Sequence, residues 1–224
     1  MARAANFWLM KTEPESYSIH RLAAEPDQTT YWDGVRNYQA RNFMRSMKVG
    51  DRVLFYHSNA NPPAVAGTAV VCREAYPDFT QFDPEQKHYD PASSHDDPRW
   101  DMVDIRLESI FEVPIPLDFL RGRKELEGME LLRRGSRLSV QPVSRKHFEV
   151  ILAIAKELAA NPEAALVGAS ASGKAPRRKA AKKTARKKAA STKGATKAPA
   201  ARKTASRKAA KRAGAKAAKK RSTN

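Results

Sequence analysis

The stretch YWDGVRNYQARNFMRSMKVGDRVLFYH (31–57) carries the transition on which the fold turns. Within it, Ala40, Phe43, Met44 and Met47 fall at i, i+3, i+4 and i+7. That spacing lines apolar side chains along one face of a helix, so residues 38–48 are predicted helical. Gly50 and Asp51 then turn the chain, and residues 53–57 read as a strand. Working outward, residues 7–10 form a short first strand, and Pro62-Pro63 separates residues 53–57 from a third strand over 65–71. The polar, proline-rich segment 76–99 is too long to be a mere connection. Beyond it Val103, Ile105, Leu107 and Phe111 alternate with Asp104, Arg106 and Glu108, the pattern of a half-buried strand. A last helix follows Pro142, with Ser144 as its N-cap and Phe148, Ile151, Leu152, Ala155 and Leu158 on its inner face; Asn161-Pro162 ends it. Strands that alternate with helices in this order predict a small, curved, mostly antiparallel α/β barrel.

Charge divides the chain in two. The formal net charge is +18, yet residues 1–168 hold 21 basic against 24 acidic side chains, and residues 169–224 hold 21 basic and none acidic. All three Trp, six Tyr and eight Phe lie at or before Phe148. The chain is therefore expected to be one folded domain over 1–168 and a tail over 169–224. The tail's composition cannot bury enough apolar area to offset the entropy of ordering it, so disorder is expected there.

Several function classes are set aside. Cys72 is the only cysteine, which rules out an internal disulfide, and its neighbours Ala69, Val70 and Val71 place it in a strand as a small apolar side chain. No apolar run approaches the ~20 residues that span a bilayer, and residues 1–10 lack the plan of a secretory signal. A cytoplasmic protein is expected, with no membrane partner. The five histidines, at 20, 57, 88, 95 and 147, show no HxxxH or HExxH spacing, and no phosphate-binding glycine loop or G-x-S-x-G elbow is present. His95, Asp96 and Asp97 read as solvated loop residues, and His57 beside Ser58 points the opposite way along an extended chain. No enzyme, metal or cofactor is expected.

What remains is recognition of nucleic acid. Residues 31–42 pack aromatics, arginines and asparagines around an Asp-Gly turn at a helix entrance. Trp32 precedes that turn, where its ring need not be drawn into the core, although a core aromatic has the same composition. Aromatic faces stack on bases and asparagine reads base edges. Arg41 and Arg45 lie four apart, opposite Phe43 and Met44, where both reach phosphates. His57-Ser58-Asn59 at a strand end and Ser139 with Gln141 in an extended segment add polar groups that line pockets or cap turns.

Four ordered strings, WLMKTEPESYS (8–18), WDGVRNYQARNFMRSMKVGD (32–51), FYHSN (55–59) and RLSVQPV (137–143), resemble the EVE domain family over residues 6–158. The resemblance implies a PUA-like barrel with surrounding helices and one pocket, of the kind that reads a modified base in DNA or RNA. By position it implies pocket roles for Lys11, Thr12, Trp32, Asp33, Asn37, Tyr38, His57, Ser58, Asn59, Ser139 and Gln141, and places Arg36, Arg41 and Asn42 in the signature segment. Arg36, Arg41 and Arg45 are the expected phosphate contacts of the domain. Tyr76, Phe79, Phe82, Tyr89 and Trp100 are candidates for a second aromatic wall.

The tail repeats KTARKKAA (183–190) imperfectly as KTASRKAA (203–210) and resembles histone-like tails. Its cations, Lys182, Lys183, Arg186, Lys187 and Lys188 among them, are expected to neutralise phosphates by counterion release without choosing sequence. The expected partner is nucleic acid, DNA ahead of RNA, with nucleoid association. An architectural protein acting mainly through its tail is the alternative, and an enzyme acting on a modified nucleotide comes after it.

Overall fold

Strands 7–10 and 53–57 of the sequence reading become two parallel neighbours in the interior of one six-stranded sheet. The computed structural model describes residues 4–164, so the tail and its five named cations lie outside the described residues. In chain order the elements are β1 (Phe7–Thr12), α1 (Ile19–Ala24), β2 (Thr29–Trp32), α2 (Tyr38–Ser46), β3 (Arg52–His57), β4 (Ala64–Pro77), β5 (Asp101–Pro116), α3 (Leu117–Arg121), β6 (Val140–Val143) and α4 (Arg145–Ala160). Short 3-10 turns occupy Pro26–Gln28, Phe79–Gln81, Lys124–Leu126 and Glu130–Leu132.

The sheet runs β2-β5-β4-β3-β1-β6. Only β1 and β3 pair in parallel, as their long crossover through α1, β2 and α2 permits; the other neighbours are antiparallel. The β4–β5 pair is far longer than its sequence pattern suggested, and its register shifts at several points. Bulges of this kind bend a strand and increase its twist. The sheet accordingly curls, and α2 touches β4, β5 and β6.

Strand alternation divides the interior into two layers. Trp8, Met10, Val53 and Phe55 point one way, onto Ala40, Met44 and Met47 of the α2 segment. Leu9, Leu54 and Tyr56 point the other way, onto Phe119 and Leu120 of α3 and onto Phe148, Ile151, Ile154 and Leu158 of α4. The helix face expected from Phe148 onward is therefore the one that packs. Asp51, fully buried at the expected turn, accepts from Trp8 Nε1 at 3.0 Å, Asn6 N at 2.9 Å and Lys48 N at 3.1 Å. Those bonds tie the start of β1 to the end of the α2 segment.

Candidate nucleic-acid interface

Because β1 and β3 run in parallel and in register, their C-terminal ends finish side by side, with Thr12 opposite His57. Ser58 secures the pair: its backbone N–H and its hydroxyl both donate to the Thr12 carbonyl, at 2.7 and 3.1 Å. The Lys11 amide donates to the Ser139 carbonyl at 2.8 Å, which brings the segment before β6 to the same sheet end. His57 Nε2 accepts from the Ile19 amide, in the first turn of α1, at 3.1 Å. Trp32 closes the group. Its ring meets Phe55 edge to face at 5.4 Å, and Phe55 meets His57 in the same manner at 5.6 Å. Thr12, His57 and Ser58 thus meet at one end of the sheet, and Trp32 joins them through Phe55.

Trp32 is only 8% exposed and belongs to the core of that layer. Of the two placements that composition leaves open for Trp32, the structure shows the core one. β2 pairs with β5 through Trp32↔Val103, and alternation along β2 turns Trp32 inward and Tyr31 outward.

The imidazole of His57 is held below its ordinary value, first by burial and then by the neighbouring His20. As an acceptor from Ile19 it is neutral in the folded protein. Below about pH 6.5 the unfolded chain takes up this proton before the folded one does. His57 therefore makes stability fall as pH drops from there through the folded value, and has no such effect above. His57→Gln keeps an acceptor for Ile19, and it should lose less stability than the wild type between about pH 7.5 and 5.5. Urea unfolding at both values checks this; equal losses would contradict it.

Other expected pocket residues are placed elsewhere. Lys11 and Gln141 lie on the opposite layer, because their positions alternate with Met10, Thr12 and Val140. Lys11 stands 6.0 Å from the Tyr56 ring, and burial lowers its pKa. Gln141 is fully buried and donates through Nε2 to Ser136 Oγ and the Leu138 carbonyl. Asn59 is an exposed turn residue at φ 53°. Asn37 caps α2, its Oδ1 accepting from Ala40 N at 3.0 Å.

A second cluster fastens the long loop between β4 and β5 to the signature segment. Asp78, fully buried at the head of the loop, accepts from Gly34 N at 2.9 Å, Arg36 Nη1 at 2.7 Å, Thr80 N at 2.8 Å and Thr80 Oγ1 at 2.6 Å. Arg36 also donates through Nη2 to Thr80 Oγ1 at 3.0 Å, and through Nε and Nη2 to the His88 carbonyl. The guanidinium expected on phosphate is instead engaged by the loop. Gly34, at φ 72°, lies so close to the His88 ring that a Cβ there would stand 2.6 Å from it. Asp33 is pushed above its ordinary value by burial and then by Asp78. Sequence reading missed Asp78 and His88; the Asp-x-Thr turn at 78–80 is a local signal for the first, and nothing local marks the second.

Tyr38 and Arg41 lie on the outer side of this segment, against Trp100, and Arg45 pairs with Asp101 at 2.5 Å. Among the described residues, no three His, Cys, Asp or Glu are grouped to hold a metal ion, and no helix is long and apolar enough to cross a membrane. A cavity of about 550 Å³ is lined by Arg121, Arg123, Lys124 and Arg133 and includes none of the residues above.

Comparison with known proteins gives this arrangement a context. A family model described as EVE domain matches residues 6–154. Thymocyte nuclear protein 1 of Mus musculus is 46% identical, the match covering 67% of this chain and 74% of the relative. Among solved structures, a hypothetical protein from Leishmania major has a TM-score of 0.66 at 45% identity, covering 69% of this chain and 96% of the other. Human THYN1 protein, solved in complex with 5-methylcytosine-containing DNA, has a TM-score of 0.65 at 43% identity and covers 67% of this chain and 98% of its own.

Proposed function

Since the chain belongs to the EVE domain family, we propose that it binds nucleic acid and reads a modified base, with 5-methylcytosine in DNA as its first candidate ligand. The observation that carries this reading is the human relative. At 43% identity across 98% of its own chain, that protein is solved with 5-methylcytosine-containing DNA.

The geometry supports a pocket at the sheet end where Thr12, His57 and Ser58 meet and Trp32 joins them through Phe55. Burial keeps His57 neutral, which suits an uncharged base, and the small part of Trp32 left exposed is the apolar surface proposed to meet a methyl group. One added methyl in such a pocket is worth about 1–3 kcal/mol. A base drawn from a duplex must also offset its unstacking, a few kcal/mol.

The basic tail is proposed to hold phosphates without sequence choice and to keep the domain at high local concentration on the strand. Arg41 and Arg45 remain the domain's proposed phosphate contacts. The activity is binding rather than catalysis, and it places the protein on DNA within the cell. The test is equilibrium binding of the full chain to DNA strands that differ only by the methyl group; tighter binding to the methylated strand is expected, and equal binding would refute the proposal.

A further inference from the structure

Outside the proposed pocket, the first residue of α2 presents an aromatic surface. Tyr38 is 51% exposed. Its inner face lies on Trp100, with ring centroids 4.8 Å apart and planes 26° from parallel. Trp100 is a fixed support. It is 6% exposed, its indole N–H donates to Asp90 Oδ2 at 2.6 Å, and its backbone N–H and C=O both bond the buried Gln81 side chain at 2.9 Å. A ring backed this way loses little freedom when something stacks on its other face.

That other face is uncovered by the neighbouring cation. The Arg41 guanidinium stands 4.9 Å from the Tyr38 centroid and 5.9 Å from that of Trp100. On the outer face of Tyr38 it would lie much farther from Trp100, so it sits at the rim of the stack. Arg41 uses three of its five N–H groups, one on the Arg99 carbonyl at 2.7 Å and two on Asn42 Oδ1. Two remain for an outside acceptor. The exposed pair Tyr31 with Phe79 is edge to face at 5.2 Å and offers no such parallel, supported surface.

We infer that the outer face of Tyr38 stacks the base of an unpaired nucleotide next to the one read in the pocket, with Arg41 meeting the adjoining phosphate. An open aromatic face with a cation at its rim is the arrangement by which proteins hold single strands without reading sequence. The inference rests on the base-reading proposal for its register, and it adds a second contact that does not depend on the modification.

The experiment is binding of the full chain to short single-stranded DNA carrying one 5-methylcytosine, with the nucleotide on either side intact or made abasic. The wild type should lose about tenfold in affinity when one particular neighbour is abasic. Tyr38→Ala should lose a similar factor on the intact strand and nothing further on the abasic one, and Tyr38→Trp should restore the difference. Preference for the methyl group should be unchanged in Tyr38→Ala. If neither neighbour matters to the wild type, or if Tyr38→Ala weakens intact and abasic strands equally, the platform does not exist. If instead the wild type ignores the methyl group while the coupling between Tyr38 and the neighbouring base persists, the pocket reading fails and the platform stands.

Discussion

Alanine at position 32 is expected to lower the stability of the folded protein by about 3–5 kcal/mol, the usual cost of removing a buried tryptophan. It is also expected to erase discrimination of the methyl group. Trp32 is almost wholly enclosed, rests edge to face on Phe55 and shares its layer with Met10, Leu22 and Val35. Deleting it leaves a cavity that these neighbours, held by strands and helices on several sides, fill only in part. The two effects need separate readings. Urea unfolding gives the stability loss, and Trp32→Phe, which retains an aromatic ring at lower cost, keeps the site assembled for binding. A phenylalanine variant that is folded and discriminates as well as the wild type would leave Trp32 a core residue without a role in the pocket. An alanine variant that loses less than about 1 kcal/mol would contradict the burial itself.

Asp78→Ala should have a stability cost of the same order, about 3–5 kcal/mol, because it removes the buried carboxylate that Arg36 is paired with and leaves the guanidinium without that ion pair. The Asp78 carboxyl is wholly enclosed and the Arg36 side chain is 21% exposed, so solvent screens the pair little. Burial pushes the Asp78 carboxyl up, but hydrogen bonds from Thr80, Arg36 and Gly34 outweigh it and hold it below the ordinary carboxylate value. Its contribution is therefore complete above about pH 4 and is lost as pH falls through the lower folded value. The variant should lose that acid-side dependence. It should also release the loop: amide exchange over residues 78–100 should rise while α4 stays protected. Exchange unchanged in the loop would mean that Gln81 and Trp100 hold it without Asp78. Arg36→Lys is expected to fail as well, since a point charge cannot meet Asp78, Thr80 and the His88 carbonyl together.

Much of the architecture was legible in local pattern. The i, i+3, i+4, i+7 set from Ala40, the Ser144 cap and the alternation after Trp100 each found their element, since each reports burial of one face. Three elements escaped. α1 has six residues and α3 five, too few for periodicity to register, and β2 has four and forms an edge of the sheet. The lengths of β4 and β5 were understated because bulges break the alternation that marks a strand. At the site, the strings around Thr12, Trp32 and His57 pointed to residues that the fold does bring together. Gln141 and Lys11 were grouped with them because sequence order says nothing of which face of a sheet a strand will show. The role of Arg36 was invisible for a related reason: its partners Asp78, Thr80 and His88 lie 42 to 52 positions away. The tail was read from composition, and its residues fall outside those described.

The measurement that bears most directly on the proposed function is the ratio of dissociation constants for two DNA strands of identical sequence, with and without one 5-methylcytosine, taken across a range of salt. The tail and Arg41 act on phosphates, so both constants should weaken steeply and in parallel as salt rises. The ratio belongs to the pocket and should stay near tenfold throughout, the factor for about 1.4 kcal/mol of methyl recognition. A ratio of one at every salt concentration would contradict the account and leave a protein that holds nucleic acid by charge alone.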